Sequence, residues 1–66
     1  MSKDKFLNSD YKPDENTKQD IEKLHKEGVS LSGVQLKYAD MNNVKLVNAD
    51  LSHADLTRAD FSGASL

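Results

Sequence analysis

Residues 48–66 read NADLSHADLTRADFSGASL, and Ala49-Asp50-Leu51, Ala54-Asp55-Leu56 and Ala59-Asp60-Phe61 recur in them every five residues. The period extends backward through more than half of the chain. Every fifth residue from Leu31 is large and apolar: Leu31, Leu36, Met41, Leu46, Leu51, Leu56, Phe61 and Leu66. Two positions before each stands a smaller apolar residue: Val29, Val34, Ala39, Val44, Ala49, Ala54, Ala59 and Ala64. The other three columns are polar, glycine or tyrosine, apart from Val47. An α-helix cannot use this spacing, because five residues advance about 500° and smear the apolar column over every face. A plain strand cannot use it either, because an odd period flips the side chain to the other face at each repeat. A chain that turns a corner every five residues can. Each side then buries one small and one large residue, four sides close a coil of twenty, and stacked coils bury each other's interior.

V-x-L, A-D-M, A-D-L and A-D-F repeated every five residues resemble the pentapeptide-repeat family, whose motif is approximately A-[DN]-L-x-x. The resemblance covers Gly28–Leu66 and implies a right-handed quadrilateral β-helix. Residues twenty apart should then stack: Leu31 with Leu51, Leu36 with Leu56, Met41 with Phe61, and Leu46 with Leu66. The fold class expected is mainly β, with about two coils over residues 28–66 and an N-terminal capping α-helix over residues 13–27.

The helix reading rests on local signals. Pro13-Asp14-Glu15-Asn16 suits a helix start, with acids at the positive end of the dipole. Asn16 and Gln19 have capping-box spacing. Gly28 suits the position just past a helix end, with Lys23 and Lys26 in the last turns. Thr17, Ile21, Leu24 and Gly28 share one narrow face that could lid the first coil. In the segment 1–12, Phe6, Leu7 and Tyr11 either pack beside that lid or belong to a disordered stretch. Asn42, Asn43 and Asn48 suit the corners, where left-handed backbone is needed.

Composition bounds the function. The 66 residues allow one small domain. There is no cysteine, which excludes disulfides and cysteine metal sites and fits a cytoplasmic setting. The longest apolar runs are two residues, too short for a spanning helix, and MSKDKFLNSDYK lacks the apolar region of a signal peptide. Nine basic residues against eleven acidic ones argue against direct binding to nucleic acid and do not favour an acidic membrane surface. His25 and His53 fall on different elements outside any ligand spacing. Gly28, Gly33 and Gly63 are too scattered for a phosphate loop, and no serine has a base at a defined spacing. The chain therefore reads as no enzyme, with no catalytic residue, metal or cofactor.

Two binding classes remain. In the first, Asp40, Asp50, Asp55 and Asp60 point outward and form an acidic rod that imitates DNA. The family resemblance implies topoisomerase modulators, and the small acidic architecture suits phage anti-CRISPR or anti-restriction inhibitors. The partner would be a nucleic-acid-binding protein, held by competition for its basic groove. Duplex DNA carries a charge about every 1.7 Å, far denser than four acids interrupted by Lys37, Lys45 and Arg58. Aspartate in this column is also what a turn would select. In the second class the protein is a scaffold or adaptor that works through its N-terminal helix or an uncapped C-terminal coil. An apolar solenoid end ending on Leu66 implies a homodimer interface of Met41, Leu56, Phe61 and Leu66, or an array that continues. Tyr38 and Arg58, twenty apart, could form a cation–π pair.

Overall fold

The computed structural model describes residues 2–66; residue 1 of the N-terminal segment lies outside them. From Leu31 onward every repeat closes the same way. The carbonyl of the large residue accepts the amide of the small residue three positions on, as in Leu36 O with Ala39 N at 3.0 Å and Leu56 O with Ala59 N at 2.9 Å. This is a β-turn with its third residue in the left-handed region. Gly33, Tyr38, Asn43, Asn48, His53, Arg58 and Gly63 fill that place, with φ from 56 to 81°. Asn43 and Asn48 thus take the corner role that the sequence suggested, whereas Asn42 sits one position earlier.

Successive coils are in register at twenty residues. Parallel bridges join Gln35 to Asp55, Asp40 to Asp60 and Lys45 to Ser65. Around each, amides bond across the coils, as in Met41 N to Asp60 O (2.8 Å) and Asp60 N to Ala39 O (2.9 Å). The corner amides of Gly33, Tyr38 and Asn43 also donate to the second coil, at Ser52 O, Thr57 O and Ser62 O. The mainly β expectation needs correction here, since among the described residues the bridges are isolated and no continuous strand forms. A side only three residues long leaves its middle residue alone to pair on both edges before the chain turns again.

The first coil is the core. Leu31, Val34, Leu36, Met41, Val44 and Leu46 are fully enclosed, together with Phe6, Ile21 and Leu24 from the N-terminal part. The second coil packs on this core from one side, so Leu51, Leu56 and Phe61 are only partly buried. The whole measures 26 × 23 × 21 Å, nearly as wide as it is long. The expected rod is therefore a short block.

The helix α1, Thr17–Lys26, is shorter than the 13–27 expected. Asn16 makes no side-chain cap. Asp14 takes over: its Oδ1 accepts Asn16 N at 2.8 Å, and its own amide donates to Thr17 Oγ1 at 2.8 Å. That reciprocal arrangement holds residues 13–16 in a turn ahead of the helix. At the other end Gly28 (φ 82°) donates to His25 O and Val29 N donates to Leu24 O, both at 3.0 Å. This Schellman pattern is what a glycine past the helix end permits. Ahead of α1 a 3₁₀ turn spans Asp4–Leu7 and buries Phe6.

The cap also replaces the polar contacts that a preceding coil would give. Phe6 O accepts Gln35 N (2.6 Å), and Glu22 Oε2 accepts Lys45 N (2.8 Å). Lys3 Nζ and Lys18 Nζ donate to Ser32 O and Asn42 O, at 3.0 and 2.8 Å, and His25 Nε2 lies 2.8 Å from Val47 O. Removing one such acceptor should cost roughly the net worth of a hydrogen bond to a charged group. Glu22→Ala is expected to lower stability by about 1–2 kcal/mol in urea denaturation, and Glu22→Gln by less. Equal losses from the two variants would mean that the carboxamide cannot serve Lys45 N.

Candidate functional site

Two surfaces qualify, the outward aspartates and the open end of the second coil. Each aspartate occupies the middle of a side. Its Oδ1 accepts the amide two residues on: Asn42 N for Asp40 at 3.1 Å, and Ser52 N, Thr57 N and Ser62 N for Asp50, Asp55 and Asp60 at 3.0 Å each. This Asx-turn helps bend the chain into the following corner. In two repeats the hydroxyl joins it, with Thr57 Oγ1 and Ser62 Oγ both 2.6 Å from the carboxylate.

These bonds tune the acids. Bonding from Thr57 and Ser62, the hydroxyl first and the backbone amide second, holds Asp55 and Asp60 below the ordinary carboxylate value, and bonding from Ser52, with a smaller share from Ser30, does the same for Asp50. Protonation is harder in the folded chain than in the unfolded one. The resulting stability is present above the unfolded value near about 4 and is lost as pH falls through the folded values. The urea midpoint should therefore drop on acidification below about pH 4. A Thr57→Val, Ser62→Ala double variant should drop less steeply over the same range; an unchanged acid limb would mean that these hydroxyl bonds do not set it.

The acids do not converge. Asp40 and Asp60 are bridged on one side, Asp50 stacks on Ser30 with an Oγ–Oδ2 distance of 3.4 Å, and Asp55 pairs with Gln35 on another side. The fourth side carries Lys45 over Ser65. The charge is thus spread around the block, beside Lys37 and Arg58. Among the described residues no cation–π contact joins Tyr38 to Arg58; the ammonium of Lys5 instead lies 5.1 Å from the Phe6 ring.

The open end collects Leu51, Leu56, Phe61 and Leu66. The first three are half-buried, and Leu66 is 65% exposed. Met41, expected with them, is corrected out of this surface. It is completely buried because its coil has Phe61 on one side and the cap on the other. The alanines beneath, Ala49, Ala54 and Ala64, are partly covered. One feature the sequence reading passed over is the side chain two residues after each acid. Asp55-Leu56-Thr57 and Asp60-Phe61-Ser62 carry the hydroxyls that pin the carboxylates, whereas the Ser52 hydroxyl donates to Ser32 Oγ at 3.2 Å. No helix among the described residues is long and apolar enough to cross a membrane.

A family model described as pentapeptide repeats matches residues 27–66 in eight copies. Comparison with curated proteins and comparison with solved structures gave no match.

Proposed function

The chain belongs to the pentapeptide-repeat family, and from that premise we propose that it is a non-enzymatic protein-binding module whose open second coil joins a second copy of itself. In this reading residues 28–66 are a right-handed quadrilateral β-helix of about two coils, and the protein works in the cytoplasm. Members of this family generally bind or scaffold and do not catalyse. The observation that carries the reading is the burial gradient. Leu31, Leu36, Met41 and Leu46 are fully enclosed, whereas the residues stacked on them are half-buried or, for Leu66, 65% exposed. Covering that apolar end removes it from water at about 25 cal/mol per Å². A twofold contact is self-complementary, so each apolar residue counts twice. Sedimentation over a concentration series at low and high salt tests this. The expected result is a dimer that survives salt; a monomer at every concentration would sink it.

A second reading keeps the acids as the binding surface, as a DNA-mimic-type inhibitor of a nucleic-acid-binding protein such as an anti-CRISPR, an anti-restriction factor or a topoisomerase modulator. It is favoured by carboxylates held ionised below the ordinary range. Against it stand their spread over three sides and a longest dimension of 26 Å, shorter than one DNA turn of about 34 Å. Mimicry would need a dimer that aligns two acidic surfaces, and its complex would dissolve in salt. The local turn bonds account for aspartate in this column without any partner.

A further inference from the structure

A cleft between the N-terminal segment and a corner of the first coil takes no part in the end-face reading. It is open, about 730 Å³ in volume, and lined chiefly by Asp10, Tyr11, Lys12, Pro13, Lys37 and Tyr38. Its N-terminal wall is pre-set. The Tyr11 hydroxyl is 2.6 Å from Thr17 Oγ1, its ring meets Phe6 edge-on at 4.8 Å, and Asp10 N is bonded to Asn8 Oδ1 at 2.8 Å. The opposite wall is a coil corner, fixed by Tyr38 N donating to Thr57 O at 2.9 Å. The corners on either side of it hold Gly33 and Asn43 in the same left-handed conformation, residue types that suit it. A tyrosine is not selected by that turn, yet this one stands 68% exposed, more than Leu7, Val47 or Leu66.

The cleft thus offers aromatic and proline faces with two ammonium groups beside them. Lys37 also faces Asp55, whose carboxylate it helps keep ionised, and Arg58 adds a third cation at the stacked corner of the next coil. Flat faces accept stacked rings of any base, and lysine serves phosphate as a mobile point charge. The volume lies within the range of small-ligand sites, about 300–1,000 Å³. We propose that this cleft binds a nucleotide-class ligand, its ring stacked on Tyr38 and its phosphates held by Lys12 and Lys37. Asp10 also lines the cleft and would accept a hydrogen bond from a sugar hydroxyl.

Titration of the full chain, followed by amide chemical shifts at constant ionic strength, tests this with four probes: ATP, adenosine, tripolyphosphate and a short oligoglutamate peptide. ATP is expected to give saturable shifts at Lys12, Lys37 and Tyr38, with adenosine and tripolyphosphate each at least about tenfold weaker. Tyr38→Asn should weaken ATP by about fivefold or more, the worth of one stacked ring. That variant keeps a residue type which Asn43 and Asn48 already hold at φ 61° and 63°, so its fold should be intact by melting. Lys12→Gln with Lys37→Gln should weaken ATP similarly. Absence of saturable shifts with ATP overturns the proposal. So does tripolyphosphate binding as well as ATP with Tyr38→Asn neutral, which would be charge alone, or a preference for the peptide, which would make the cleft a peptide site.

Discussion

Phe6→Ala is expected to cost about 3–5 kcal/mol, enough to leave most of a domain this small unfolded. The ring is completely buried and meets Tyr11 at 4.8 Å. Its own carbonyl accepts Gln35 N at 2.6 Å, so the residue plugs the first coil with its side chain and pairs the coil's edge with its backbone. Truncation leaves a ring-sized void in the core that the ring shares with the first coil and loosens the 3₁₀ turn that presents the carbonyl. Leu7, the next residue, is 44% exposed, and Leu7→Ala should cost only about 0.5–1 kcal/mol. Urea denaturation followed by circular dichroism separates the two. A Phe6→Ala protein with the wild-type midpoint would mean that residues 2–12 are not part of the folded unit.

That segment is also where sequence reading stops. The repeat was legible because sixteen positions in two columns, Val29 to Ala64 and Leu31 to Leu66, all answer to one repeated local geometry. The Schellman end at Gly28 was legible for the same reason: a glycine after a helical run decides it locally. Phe6 has no periodic neighbours, and its burial depends on the first coil, which its carbonyl meets at Gln35 N, 35 − 6 = 29 positions away. The contacts of Glu22 with Lys45 and of Lys18 with Asn42 span 23 and 24 positions and are likewise tertiary. Asn16 was read as the cap because it has the right spacing to Gln19, yet Asp14 and Thr17 satisfy each other first. The turn role of the aspartates was legible in their column, where a turn selects that residue, but the hydroxyl two residues on was not. Their spread around the block follows from the twenty-residue register, which alone puts Asp50, Asp55 and the Asp40–Asp60 pair on three sides. The absence of continuous strands follows from the same five-residue period, since corners that frequent leave one pairing residue per side.

Phe61→Asp should weaken self-association by about a thousandfold while leaving α1 and the first coil folded. Symmetry doubles the effect. In a twofold contact each copy contributes its Phe61, so the change is made twice. Each ring is already half-covered by its own coil, leaving on the order of 1 kcal/mol of further burial per ring. A carboxylate in its place must also lose water and face its symmetry mate, which raises the total to about 4 kcal/mol. Because Phe61 packs partly on the core, its replacement also costs some fold stability. Leu66→Asp, at a side chain 65% exposed, separates the two effects: it should weaken the dimer without shifting the melting of the monomer. Asp60→Lys, one residue from Phe61 but pointing outward, should change the dimer little at high salt. Sedimentation of the three variants decides between the surfaces. If Phe61→Asp and Leu66→Asp associate like the wild type, the end face is not the interface. If Asp60→Lys abolishes binding to a partner and salt does the same, the acids carry the function and the apolar end face makes no functional contact.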